Sequence, residues 1–329
     1  MAPESTTMRA LRLTHSSSPA SPPTLSLETV PKPSVTPGHV VVKVHASAIQ
    51  PSDKLNAKGF FPLTSFPRIP GRDFSGTIVD GPKDRIGEDV YGTSGSSFGF
   101  SRDGAHAEYC LFPETAAVRK PHTLSYLQAA SVGVPFTTGA LCLRRARTTT
   151  EDVVLVLGAT GAVGSAAVQV AKAIGCKGVI TASRRDNTDV NVAKDTALDA
   201  VASLTGGKGA DVVIDTVGDI GLMKAALGVL AVKGRYVWIA APRGGASTDF
   251  TFDMLQAYRK EHELVGCNSL NYSGADMAEI MRELQGWFEK GTLKTKADAE
   301  FVIVGLDEAV ETYGKDAPGK VVVISMDKK

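Results

Sequence analysis

Gly158, Gly161 and Gly164 sit inside the stretch VVLVLGATGAVGSAAVQVAKAIGC, residues 153–176. The apolar run 153–157 ahead of them reads as a buried strand. Behind them Val163, Ala167, Val170, Ala171 and Ile174 fall on one face of a helix. Glycines at such a junction let the backbone turn tightly and approach a pyrophosphate. The helix start adds unpaired N–H groups and the positive end of a dipole. The chemistry expected is dinucleotide binding, carried by Ala159, Thr160, Gly161, Ala162, Val163 and Gly164. About 20 residues further on, NAD-binding units usually place a carboxylate that grips the ribose hydroxyls. Here that corner is Ser183, followed by Arg184 and Arg185. A carboxylate would repel a 2′-phosphate, whereas a hydroxyl and guanidinium groups suit it. The cofactor is therefore read as NADPH, the alternative being that both arginines form a solvated pair beside Asp186. Thr216, Val217, Ile239, Ala240 and Ala241, at the ends of later strands, are expected to line the ribose and nicotinamide.

These residues need a scaffold of alternating strands and helices. From residue 153 onward strands are predicted at 153–157, 178–182, 211–215 and 235–240, with helices near 196–205 and 221–230. That alternation implies a parallel sheet with right-handed crossovers. Between the second and third strands no helix is legible. Residues 185–189 run straight into Val190, Asn191 and Val192, so the third strand either follows a very short crossover or is replaced by loop. Ahead of the dinucleotide unit, short strands are read at 8–13, 24–30, 40–48, 76–79, 89–91 and 107–112. A turn-rich loop is read at 16–23 and frayed residues at 1–7. Residues 124–147 turn helical, 277–290 form an amphipathic helix, and 320–325 form a last strand able to return to the first domain.

At 329 residues the chain is long enough for two cores, and a hydrophobic content of 43% is ordinary for a soluble protein. A net charge of +1 indicates neither a nucleic-acid partner nor a polybasic membrane patch. No apolar run approaches the ~20 residues of a membrane span, and the start MAPESTTMRALRL has no apolar signal core. Cys110, Cys142, Cys176 and Cys267 are scattered without a CxxC pair, which suits a reducing cytoplasm and argues against disulfides or a zinc ribbon.

Six stretches carry a family resemblance: 48–59 (AIQPSDKLNAKG), 70–76 (PGRDFSG), 104–109 (GAHAEY), 133–139 (GVPFTTG), the glycine motif, and 319–323 (GKVVV). With them the chain resembles the medium-chain dehydrogenase/reductase superfamily, in its zinc-free quinone oxidoreductase-like branch. The resemblance implies an α/β fold with a GroES-like β-rich domain, 1–124 and 268–329, plus a Rossmann doubly wound parallel sheet, 125–267. It implies NAD(P)-dependent hydride transfer in the cleft between domains, and a homodimer, expected through the outer sheet edge near 235–240. It also implies that Thr138 packs beside the nicotinamide and that Cys267 and Asn268 close over it, with a helix cap as the other reading of Thr138.

The departures are as informative. The zinc-dependent members of that superfamily hold a catalytic metal with Cys, His and Cys, where this chain has Gln50, Arg72 and Val134. None of these is a workable zinc ligand, so no metal is expected. Without a Lewis acid an isolated ketone is hard to polarise. A conjugated enone or quinone spreads the developing charge, and hydrogen-bond donors then suffice. The expected substrate is a small-molecule quinone, enone or enoyl compound. Lys54 is either a donor to the developing enolate or a solvated lysine. Asp53, in QPSDKL, is read first as a loop-structuring carboxylate and second as a proton donor, and Tyr91 as a catalytic residue reaching the cleft or as packing. Two other functions stand beside the leading one: a trans-acting enoyl reductase of a biosynthetic pathway, and a non-enzymatic NADPH-binding protein of the crystallin kind.

Overall fold

The computed structural model describes residues 5–15, 22–315 and 320–328. Most of the 16–23 loop, residues 1–4 and the start of the 319–323 stretch lie outside them. Strands β1 (Thr7–Thr14) and β2 (Thr24–Pro31) pair antiparallel. Strand β3 (His39–Ile49) carries alternating valines and buries both faces over most of its length. It leads into helix α1 (Pro51–Ala57), whose Pro51 pre-sets the first helical residue. Strands β4 (Asp73–Asp80), β5 (Asp89–Thr93), β6 (Tyr109–Pro113) and β7 (Val118–Arg119) follow. Helix α2 (Tyr126–Arg145) comes next and continues through Pro135.

Strand β8 (Val153–Leu157) opens the next unit and passes into α3 (Ala162–Ile174), ended by Gly175 in the left-handed region. Then come β9 (Gly178–Ser183), β10 (Val190–Asn191), α4 (Ala200–Leu204), β11 (Ala210–Asp215), α5 (Ile220–Gly228), β12 (Leu230–Trp238), α6 (Met254–Lys260) and β13 (Glu263–Gly266). Among the described residues these strands form one six-stranded sheet, order β10-β9-β8-β11-β12-β13, parallel throughout. It is a Rossmann doubly wound sheet, and its order reverses between β8 and β11, the switch point where such sheets bind ligands. Leu155, Leu157, Ile180, Val213 and Tyr236 are core residues of this unit.

Three expectations are settled here. The third strand survives as a two-residue stub: Val190 and Asn191 pair with Ala182 and Ser183 after a crossover, 184–189, that has no helix. The helix expected to reach 230 stops at Gly228, because Leu230 is already in β12, beside Ala210. The strand expected at the sheet edge, 235–240, is not the edge. Arg235 to Trp238 pair with Glu263 to Gly266, so β13 covers it.

The chain ends with α7 (Gly274–Glu289), β14 (Val302–Val304), α8 (Leu306–Gly314) and β15 (Val322–Ser325). Helix α7 starts on a capping box in which Ser273 and Asp276 satisfy each other's backbone N–H. Strand β15 pairs antiparallel with β3 and parallel with β14, completing a sheet of order β14-β15-β3-β4-β5-β7, with β6 paired to β3. The chain thus divides into a β-rich unit, Met1–Val134 with Leu270–Lys329, and a parallel-sheet unit, Pro135–Ser269. Among the described residues no helix is long and apolar enough to cross a membrane.

Candidate active site

In the parallel-sheet unit the glycine turn has the geometry a dinucleotide requires. Gly158 has φ +78°, and a Cβ on Gly164 would run into the Gly158 carbonyl, so the turn closes against the helix only with glycine there. Gly161 is the N-cap of α3 and places no side chain over the first N–H groups. Thr160, Gly161 and Ala162 are exposed, whereas Ala159 and Gly164 are buried and Val163 half-buried. The turn is thus a backbone surface, and it fits a pyrophosphate.

The next strand ends are tied together by a carboxylate that the sequence alone did not single out. Asp215, at the end of β11, accepts Val217 N at 2.7 Å and Gly218 N at 3.1 Å on Oδ1, and the Tyr236 hydroxyl at 2.5 Å on Oδ2. Burial pushes the pKa of that phenol up, and the negative charge of Asp215 raises it further, so the hydroxyl keeps its proton. Thr216 turns its hydroxyl back onto the Leu157 carbonyl at 2.8 Å. A Cβ on Gly218 would strike the Ala240–Ala241 peptide, so the structure brings Thr216, Val217, Ile239, Ala240 and Ala241 to one place. Cys267 N donates to Trp238 O at 3.0 Å, which sets Cys267 and Asn268 directly beyond β13. Thr138 is buried in the middle of α2, so it is no helix cap.

Ser183 is buried, and its Oγ accepts the Arg185 N–H at 3.0 Å, shaping the short crossover. Arg184 and Arg185 are exposed. Asp186, which follows them, pairs with Lys194 at 2.6 Å and Asn191 at 2.7 Å. Among the described residues neither arginine makes an ion pair.

In the β-rich unit a buried polar cluster surrounds Gln50, Arg72 and Val134, the positions that the family resemblance assigns to zinc ligands. Gln50 N donates to Asp53 Oδ2 at 2.8 Å, and Gln50 Nε2 donates to Asp73 Oδ2 at 2.8 Å. Asp73 also accepts Thr93 Oγ1 at 2.5 Å, and Val134 N at 3.0 and 2.8 Å on its two oxygens. Arg72, only 4% exposed, donates from Nε to Ser94 Oγ at 2.6 Å and from Nη1 to Ser52 Oγ at 2.9 Å. Its guanidinium lies 5.2 Å from the Phe100 ring centroid. Burial raises Asp53 to about 7 and Asp73 to about 6, against the downward pull of the Arg72 charge. Beside them His106 bridges Tyr313 Oη at 2.7 Å and Ala48 O at 3.2 Å, and burial lowers it to about 4. It is therefore neutral, with its partners assigning the proton to Nε2.

A catalytic zinc does not fit this set. Gln50 Nε2 and Arg72 turn N–H donors toward their neighbours, and Val134 offers only its backbone N–H. A metal needs lone pairs. Among the described residues no group of three His, Cys, Asp or Glu side chains is arranged to hold a metal ion.

Two catalytic candidates are committed elsewhere. The Tyr91 hydroxyl is buried and donates to Met281 O at 3.1 Å, and burial pushes its pKa up. It packs the sheet against α7 and is corrected from a catalytic to a structural residue. Lys54 Nζ donates to the Lys315 carbonyl just past α8, which corrects the picture of a lysine poised over substrate. Asp53 is the N3 carboxylate of α1, as its loop-structuring reading had it, yet its Oδ1 is sealed without a partner.

Residues 36–122 match the alcohol dehydrogenase GroES-like domain family, and residues 162–286 the zinc-binding dehydrogenase family. A zinc-type alcohol dehydrogenase-like protein of Schizosaccharomyces pombe is 48% identical over 293 residues, 88% of either chain. The chain belongs to the medium-chain dehydrogenase/reductase superfamily. It is an oxidoreductase of that family. A quinone oxidoreductase of Homo sapiens is 26% identical over 305 residues, 87% of this chain and 88% of the human one. The fold matches the crystal structure of an alcohol dehydrogenase superfamily protein from Novosphingobium aromaticivorans with a TM-score of 0.81. That match has 24% identity and covers 97% of this chain and 100% of that one.

Proposed function

We propose that this oxidoreductase is an NADPH-dependent reductase that transfers hydride to a quinone or an α,β-unsaturated carbonyl without a metal. The observation that carries the reading is the conversion of the zinc positions into a donor network around Arg72 and Asp73. A site built of N–H donors supports oxygen charge that conjugation has already spread. The likeness to the human quinone oxidoreductase supports the same substrate class.

Ala159 to Gly164 would hold the pyrophosphate, and Arg184 and Arg185 the 2′-phosphate. Thr216, Val217, Ile239, Ala240 and Ala241 would line the ribose and nicotinamide, with Thr138, Cys267 and Asn268 contributing. The bound nicotinamide supplies the hydride. Asp215 and Tyr236 act by fixing the backbone at 216–218.

The protein is also proposed to form a homodimer through β13. An open parallel-sheet edge invites pairing. Beside it α6 exposes Met254 at 77% and Tyr258 at 75%. A monomer by light scattering at micromolar concentration overturns this.

The function is tested by following NADPH oxidation across a panel of quinones and enones, with saturated ketones and primary alcohols as controls. Turnover of conjugated acceptors alone is the expected result. Turnover of alcohols with NAD, or NADPH binding with no turnover of any acceptor, overturns it; the second outcome is that of a binding protein.

A further inference from the structure

Arg72 supplies the guanidinium of the β-rich unit's buried polar cluster, and it is incompletely bonded. Nε and Nη1 are held by Ser94 and Ser52. Among the described residues Nη2 has no hydrogen-bond partner, and it is not one of the sealed atoms left unpartnered. It therefore retains contact with accessible space although the residue as a whole is 4% exposed. Two serine hydroxyls and the Phe100 ring hold the group in place and leave its remaining N–H donors uncommitted among the described residues. The other donors considered for this task, Lys54 and Tyr91, are spent on the carbonyls of Lys315 and Met281.

We propose that Arg72 is a catalytic residue whose Nη2 group binds the substrate's carbonyl oxygen and holds the negative charge that develops there. This deepens the reductase reading and rests on it. Hydride addition to the β-carbon of an enone moves the C=C pair toward the carbonyl carbon and the C=O pair onto oxygen. The oxyanion accepts hydrogen bonds from the guanidinium, which keeps all its protons. Water then returns one proton to the α-carbon, and the saturated ketone leaves. A fixed guanidinium in a water-poor site needs no reorganisation as that charge appears. Asp53 and Asp73 flank it, and both are buried. With Asp73 near 6 and Asp53 near 7, the two carboxyls at least balance the guanidinium charge at neutral pH, so the oxyanion is held by directed hydrogen bonds. The substrate class follows: acceptors whose reduction leaves an enolate or phenolate, in preference to acceptors without a conjugated oxygen.

The test uses 4-nitrophenol as an oxyanion probe, with the protein saturated in NADP+. Its visible absorption reports whether the bound phenol is ionised. The expected result is that the bound dye ionises at least one pH unit below the free dye. Arg72→Met should abolish that shift and lower kcat for enones by about 100- to 1,000-fold, with NADPH affinity unchanged; Arg72→Lys should recover part of both. Should Arg72→Met fail to fold, the dye shift in the unmutated protein and its reduction in Ser94→Ala, which loosens the guanidinium, carry the test. A dye that does not bind, or binds with unshifted ionisation, overturns the proposal. So does an Arg72→Met protein with kcat within threefold of the parent. A dye shift in a protein inactive on every quinone and enone overturns the reductase reading and leaves Arg72 an oxyanion site.

Discussion

Gln50 Nε2 donates to Asp73 Oδ2 at 2.8 Å, joining the residue before α1 to the first residue of β4. A metal-binding relative needs a lone pair at the first of these positions, and here the group facing inward is a donor. The carboxylate is itself filled by Thr93 and Val134 N–H, so no electron pair is left over for a cation.

The purified protein is therefore expected to contain no stoichiometric zinc. Elemental analysis finding about one zinc per chain, with activity lost on chelation, would overturn that expectation.

Cofactor choice should depend on Arg184 and Arg185, because Lys194 has already taken Asp186. A charge-assisted phosphate contact contributes on the order of 1.5–3 kcal/mol. NADPH should then bind roughly ten- to a hundredfold tighter than NADH. Replacing both arginines with alanine should remove the difference and leave NADH binding nearly unchanged. Added salt should shrink it, since the contacts are exposed. Equal affinity of the unmutated protein for the two cofactors at low salt would count against the role given to this corner.

Tyr236→Phe deletes the donor that holds Asp215 Oδ2 and leaves a buried carboxylate oxygen without its partner. The expected loss of stability is about 1–3 kcal/mol, read by urea unfolding. Because Asp215 also holds the 217 and 218 N–H groups, cofactor affinity should fall as well. A variant with unchanged affinity for both cofactors would show that the 216–218 turn keeps its shape without the tyrosine.

Asp53 is raised to about 7 by burial, above the ordinary carboxylate value near 4. The folded protein thus binds a proton that the unfolded chain releases. The stability linked to this group is present at low pH and is lost as pH rises from about 4 to 7. Asp73, raised to about 6, acts in the same sense and His106, lowered to about 4, in the opposite sense between about 4 and 6.5, so a single pH curve mixes the three. The difference between the parent and Asp53→Asn isolates the carboxyl. The variant should gain on the parent by up to about 1.4 kcal/mol per pH unit across that window, then hold constant above pH 8. Parallel unfolding curves at pH 4.5, 6 and 8 would show that Asp53 does not titrate on its own.

The sequence by itself determined the elements whose cause is local. Val153 to Leu157, the glycine turn and the apolar stripe of α3 announce a nucleotide-binding unit, because apolar period and backbone freedom are properties of neighbouring residues. That Gln50, Arg72 and Val134 are not zinc-ligating residue types was equally legible, since side-chain chemistry does not depend on the fold. The β13 cover over β12, the two-residue β10 and the Asp215–Tyr236 bond were decided only by tertiary structure. Each joins residues distant in sequence, and no periodicity records which strand lies beside which. The same holds for the functional groups. Lys54 and Tyr91 look reactive in one dimension, and folding spends them on distant carbonyls. Arg72 looks like a lost ligand, and folding buries it between two serines with one amino group unbonded among the described residues. Desolvation and partner choice decide what a polar group can do, and both are set by what the chain packs around it.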